Sequence, residues 1–229
     1  VACAGALTGS VTIGVVGGTA AYQYSLDAGP NQASNTFNAV AAGPHSVTVT
    51  DANGCTGVVN FIITQPTPLA FTTIPVAATC NGVCDGQITV NVTVGSGTAP
   101  YTYSSNAGVS FQASNILTGL CAGGINVVVQ DANGCQANSL VNIAQPAVLN
   151  SVQGFVDPQC YQTPTGQISF APAGGTGPYT FSIDGGASFA PTNPVTALMA
   201  GIYDVVVEDN NGCQFTSQVT LTDPPPFTF

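Results

Sequence analysis

Residues 117–135 read LTGLCAGGINVVVQDANGC. Ile125, Val127 and Val129 recur at every second position, the period of a strand with one face in a core. The strand runs into Asp-x-Asn-Gly, where Asp hydrogen-bonds nearby backbone and Gly accepts a positive φ, so a hairpin turn follows. The same string, DANGC, stands at 51–55, and DNNGC stands at 209–213. Each is preceded by the same alternation, His45, Val47, Val49 in one case and Tyr203, Val205, Val207 in the other. The chain therefore repeats one β-rich unit three times, with offsets of 80 and 78 residues.

Further strings recur in step. An aromatic pair follows a Gly-rich approach at Tyr22 and Tyr24, Tyr101 and Tyr103, and Tyr179 and Phe181. Each unit closes on Gln or Asp before Pro, at Gln65, Gln145 and Asp223, which bounds the units at 1–66, 67–146 and 147–224, with 225–229 opening another. An earlier strand alternates through Ile88, Val90, Val92 and Val94, matched by Val11, Ile13 and Val15 and by Ile168 and Phe170. A period near 79 is too long for a solenoid unit and suits a small self-contained β-domain of about seven short strands. The expected fold is all-β, tandem immunoglobulin-like sandwiches in an extended rod, because the linkers at Thr67–Leu69 and Ala147–Leu149 are short and follow Pro. Roughly a dozen residues precede Cys80 and Cys160 in their units, whereas only Val1 and Ala2 precede Cys3. The first unit is thus expected to lack its first strand and to show an open edge beside the strand after Cys55. Phe227 to Phe229 are expected to begin a further strand.

Composition removes whole classes of function. The 229 residues hold no Lys or Arg, ten acidic side chains and one His, a formal net charge of −10. No basic groove can release counterions from nucleic acid, and an anionic membrane would repel the chain. Its apolar runs are too short to span a bilayer as a helix. Disorder is excluded by a mean hydropathy of +0.34 and plentiful β-formers. One histidine leaves no metal cluster of the usual kind and no Ser/His/Asp set, so neither an enzyme nor a cofactor is expected. Proteases that require a basic residue have nothing to cut.

Eight cysteines imply an oxidising compartment. Cys3 and Cys55, Cys80 and Cys135, and Cys160 and Cys213 are 52, 55 and 53 residues apart, one pair per unit, and Cys84 with Cys121 are left over in the second. That regularity predicts four disulfides, each inside one unit. A loop of about 53 residues closed in this way would contribute roughly 4 kcal/mol in the chain-entropy model.

The strings CNGVCDGQITVNVTV, GSGTAPYTYS, LTGLCAGGINVVVQDANGC and IAQP make the second unit resemble an SprB-type repeat. Such repeats occur in very large surface adhesins of gliding Bacteroidota and related secreted proteins. The resemblance runs through all three units. It implies an extracellular, cell-surface filament used in adhesion or gliding motility, with neighbouring repeats of the same long chain as partners and surface polysaccharide or other filaments as external ones. Ala21 in place of Pro100 and Pro178, His45 in place of Tyr203, and Asp223 in place of Gln depart from the shared pattern.

Among candidate ligand sites, His45 aligns with Ile125 and Tyr203 and is expected to be a packed ring with one hydrogen bond. The turns share letters with a calcium loop but offer too few oxygens, leaving Asp209 and Asn211 as weak calcium candidates. Asp204 and Glu208 lie too far apart along one strand to chelate together. The aromatic pairs recur in every unit as core residues would, and without Trp the chain lacks the largest carbohydrate platform. The alternative to a structural stalk is a glycan-binding accessory module of a secreted multidomain enzyme.

Overall fold

The computed structural model describes residues 1–228 and is all strand, turn and loop, without a helix among those residues. In the first repeat the strands are β1 (Gly9–Thr12), β2 (Gln23–Leu26), β3 (Thr36–Val40), β4 (Gly43–Thr50) and β5 (Thr56–Ile63). The second repeat holds β6 (Phe71–Val76), β7 (Gly86–Val92), β8 (Thr102–Ser104), β9 (Ile116–Leu120), β10 (Gly123–Gln130) and β11 (Gln136–Ile143). The third holds β12 (Asn150–Val156), β13 (Gly166–Ala173), β14 (Thr180–Ser182), β15 (Val195–Leu198), β16 (Gly201–Glu208) and β17 (Gln214–Leu221).

In the third repeat the sheets are β12-β13-β15 and β14-β16-β17, all antiparallel, and the second repeats this order as β6-β7-β9 and β8-β10-β11. Strands one, two and four of a unit facing strands three, five and six is the immunoglobulin-like arrangement with its fourth strand absent, so each full unit has six strands rather than seven. The segment that would form the missing strand folds over the outer face instead. A Cβ on Gly186 would touch Phe189 and Val206, and one on Gly108 would touch Phe111 and Val128. This explains why Val128 and Val206, which alternation places outward, are as buried as their inward neighbours.

The inward positions behave as their period demands. Ile88, Val90, Val127, Val129, Ile168, Val205 and Val207 are sealed from solvent, whereas Val94 lies beyond its strand and is exposed. The third core gathers Leu149, Ile168, Phe170, Phe181, Leu198, Val205, Val207, Val219 and Leu221, with Phe170 and Phe181 stacked at 4.8 Å. That of the first repeat reduces to Ile13, Tyr24 and Val47 with partly buried neighbours.

The difference follows from the sheets. The first repeat pairs only β1 with β3, beside β2-β4-β5. The open edge is that of β1, not of β5, because in the third repeat the first strand bonds to the second and only packs near the last. Residues 223–228 form no strand, Phe227 is exposed, and Phe229 lies outside the described residues.

By compactness the chain divides into two units, Val1–Ile74 with Thr89–Leu117 and Ile125–Val141, and Pro75–Ile88 with Thr118–Gly124 and Asn142–Phe229. The first holds the junction of repeats one and two, the second that of repeats two and three.

Candidate functional site

Two local structures recur at the ends of each repeat. The first is the Asp-x-Asn-Gly turn. In the third repeat Asp209 is buried, and its carboxylate accepts N–H bonds from Asn211 and Cys213 at 2.9 Å and from Thr176 at 2.7 Å. Asp131 does the same for Thr98, Asn133 and Cys135, and Asp51 for Thr19, Asn53 and Cys55. The bonds from Thr19 and Cys55 hold the Asp51 carboxyl below its ordinary range. Gly175, at a φ of 61°, lets the backbone pass the carboxylate where a Cβ would lie 2.6 Å from Asp209 Oδ2. These carboxylates are turn clamps. Of the calcium candidates, Asp209 has both carboxylate oxygens committed to N–H donors, and the Asn211 side-chain nitrogen donates to Thr79 O and Thr176 Oγ1.

The second structure is the loop carrying the first cysteine of each repeat. The residue before the cysteine donates its N–H to a side-chain oxygen six residues on: Ala2 to Thr8, Thr79 to Asp85, Gln159 to Thr165. The residue two after the cysteine donates to the closing Gln or Asp: Gly5 to Gln65, Gly82 to Gln145, Gln162 to Asp223. The recurrent Gln-Pro and Asp-Pro steps thus clamp this loop to the end of the last strand, a role the sequence reading did not assign.

That clamp decides the disulfides. Each first cysteine sits beside the end of its repeat's last strand, whereas the cysteine of the turn sits at that strand's start. The eight residues of β17 separate them, about 26 Å at the usual rise, far beyond the ~7 Å that a disulfide allows. The expected bonds Cys3–Cys55, Cys80–Cys135 and Cys160–Cys213 do not form. Instead Cys3 bonds Cys135 with a Cα separation of 5.6 Å, and Cys80 bonds Cys213 at 5.7 Å. Each bond joins the first-cysteine loop of one repeat to the turn of the next. Cys84–Cys121 forms within the second repeat as expected, and Cys55 and Cys160 are exposed thiols. Each cross-repeat bond closes a loop of over 130 residues, stabilising by about 5 kcal/mol in the chain-entropy model.

The aromatic pairs belong to the fold. Tyr24, Tyr103 and Phe181 are buried, and the hydroxyls of Tyr22, Tyr101 and Tyr179 donate to the carbonyls of Gly17, Ser96 and Gly174.

His45 differs from its expected single bond. Its ring stacks on Phe61, with Nδ1 2.7 Å from Asp27 Oδ2 and Nε2 3.0 Å from Ala41 O. Both partners are acceptors, so both ring nitrogens must carry protons and the imidazolium is favoured. The Asp27 hydrogen bond accordingly raises the His45 pKa, and His45, with the Ser46 N–H, lowers that of Asp27. The His45 contribution to stability is full below about pH 6.5 and is lost as pH rises through the raised value. Comparing chemical denaturation of the wild type and His45→Gln should show a gap at pH 6 that closes on the alkaline side; a gap that widens there contradicts the pairing. On the acid side, Asp27, Asp51, Asp85 and Asp184 all have lowered values, Asp184 to about 2 through Ser182 and Ser188. Their contributions hold above about pH 4 and are lost as pH falls through those values.

No group of three or more His, Cys, Asp or Glu side chains is arranged to hold a metal among the described residues. No helix there is long and apolar enough to cross a membrane.

The family model described as SprB repeat matches three segments, residues 1–31, 72–110 and 154–188. No curated protein matches the chain. Similar solved structures include the N-terminal eight Ig domains of Down Syndrome Cell Adhesion Molecule isoform 1.30.30, at 9% identity and TM-score 0.38, covering 97% of this chain and 35% of that one. The N-terminal four Ig domains of Dscam1 isoform 6.44 are similar at 13% identity and TM-score 0.28, covering 96% and 73%. Domains 1–6 of surface layer protein SbsC are similar at 14% identity and TM-score 0.26, covering 89% and 37%. The chain spans about a third of the first of these.

Proposed function

We propose, from the three segments that match the SprB repeat model, that the chain is a structural segment of a long extracellular adhesin filament serving surface adhesion or gliding motility. The observation that carries this reading is the pair of cross-repeat disulfides, Cys3–Cys135 and Cys80–Cys213. Bonds that tie each repeat to the next suit an array under tension, and they form and persist in an oxidising compartment, as a position outside the cell provides. An extended arrangement of the repeats belongs to the same reading.

One ring of each recurrent pair, Tyr24, Tyr103 or Phe181, is buried, and the other is half-buried with its hydroxyl committed to a backbone carbonyl, which favours the stalk over a glycan-binding module. A glycan array probed with the oxidised chain should therefore stay silent. Saturable binding to one glycan class would favour the accessory-module reading over the stalk.

A further inference from the structure

The two exposed thiols are not equivalent to each other. Cys55 occupies the turn position that Cys135 and Cys213 occupy in the other repeats, and Cys160 occupies the loop position of Cys3 and Cys80. Both local structures are already built. Asp51 clamps the Cys55 turn through the same bonds as Asp131 and Asp209, and Asp223 with Thr165 holds the Cys160 loop as Gln145 with Asp85 holds that of Cys80. Asn53 Nδ2 bonds Thr19 Oγ1 at 2.9 Å, as Asn133 Nδ2 bonds Thr98 Oγ1 and Asn211 Nδ2 bonds Thr176 Oγ1 in the two joined turns.

A complementary apolar pair lies beside them. In the second and third repeats, Leu69 and Leu149 pack against Gly97 and Gly175, close enough that a Cβ there would lie 2.8 and 3.2 Å from a leucine methyl. The first repeat has the matching Gly18 but no leucine against it, and a depression of about 300 Å³ lined by Val15, Gly18, Tyr22, Val49 and Cys55 lies there. Phe227 stands third after Pro224, as Leu69 does after Pro66 and Leu149 after Pro146, and it is 94% exposed.

Resting on the reading of the chain as a repeat segment, we infer that Cys160 and Cys55 are the two halves of a further cross-repeat disulfide. The partner of each is another repeat of this type, docked with Phe227 or its equivalent in the depression beside Cys55. Two thiols lose two protons and two electrons to a disulfide oxidant, which is reduced to two thiols. The staple then recurs at every junction.

Two arms test this under an oxidised-glutathione buffer. In the first, Cys55→Ser and Cys160→Ser chains are oxidised separately and mixed. Each alone stays monomeric, and the mixture gives a dimer joined by Cys160–Cys55 in lower yield when Phe227→Ala is added. In the second, two copies are joined through a second Thr72–Ala77 segment, which restores the spacing between Pro224 and Cys3 seen between Pro66 and Cys80. Here the first copy's Cys160 bonds the second copy's Cys55. The bond in the joined chain alone assigns the partner to a neighbour in the same polypeptide, and the bond in both arms extends it to separate chains. Homodimers from either variant at the yield of the mixture, or no such bond in the joined chain, overturn the inference. Loss of that bond with Cys3–Cys135 and Cys80–Cys213 intact leaves the stalk reading standing; loss of those two as well removes both.

Discussion

Pulled from its two ends, the oxidised chain is expected to extend to about 140 Å and stop, whereas the reduced chain should reach about 800 Å, at about 3.5 Å per residue. The contrast follows from connectivity. A covalent path runs from Val1 to Cys3, across to Cys135, back to Cys121, across to Cys84, back to Cys80, and across to Cys213 and the end. About 36 of the 228 peptide steps bear load along it, and the rest are shielded inside closed loops. Cys84–Cys121 is integral, because without it the path through the second repeat lengthens by over thirty residues. Single-molecule extension under oxidising and reducing conditions measures this directly. Stepwise unfolding of whole repeats in the oxidised chain would contradict the staple.

The largest single-residue effect is expected at the buried turn clamps. Asp209→Ala leaves the N–H groups of Thr176, Asn211 and Cys213 without their acceptor. A loss of about 2 kcal/mol follows from three part-buried donors left without their acceptor. Asp209→Asn keeps the shape but turns an NH₂ toward one of these donors, so it should recover only part of the loss. Asp204→Asn, at an exposed carboxylate bonded to Gln218, should stay within about 0.5 kcal/mol. Denaturant titration of the third repeat within the whole chain reads all three, and an Asp209→Ala loss no larger than that of Asp204→Asn would refute the clamp.

Period and turn chemistry made the fold legible. Val47, Val127 and Val205 are each in the core where alternation placed them, and each Asp-x-Asn-Gly step is a hairpin turn. Position along the strand was not legible from cysteine spacing. Separations of 52 to 55 residues within repeats and of 132 and 133 across them are equally regular. Regularity alone cannot choose between them. What chooses is strand direction: the first cysteine follows the first strand, so it sits at the far end of the sandwich from the turn before the last strand. The Gln-Pro and Asp-Pro steps carried the clue, since Gln65, Gln145 and Asp223 reach back to the first-cysteine loops. The second bond of His45 was hidden because Asp27 lies 18 residues away in a turn.

The cross-repeat connectivity is tested most directly by cleaving the non-reduced, thiol-blocked chain before each Asp and weighing the linked peptides. Peptide 1–26 is predicted to be joined to 131–156 alone, and 51–84 to both 85–130 and 209–222, with 157–183 carrying a blocked free thiol. Linkage of 1–26 to 51–84, together with 157–183 to 209–222, would place the bonds inside the repeats and contradict the account.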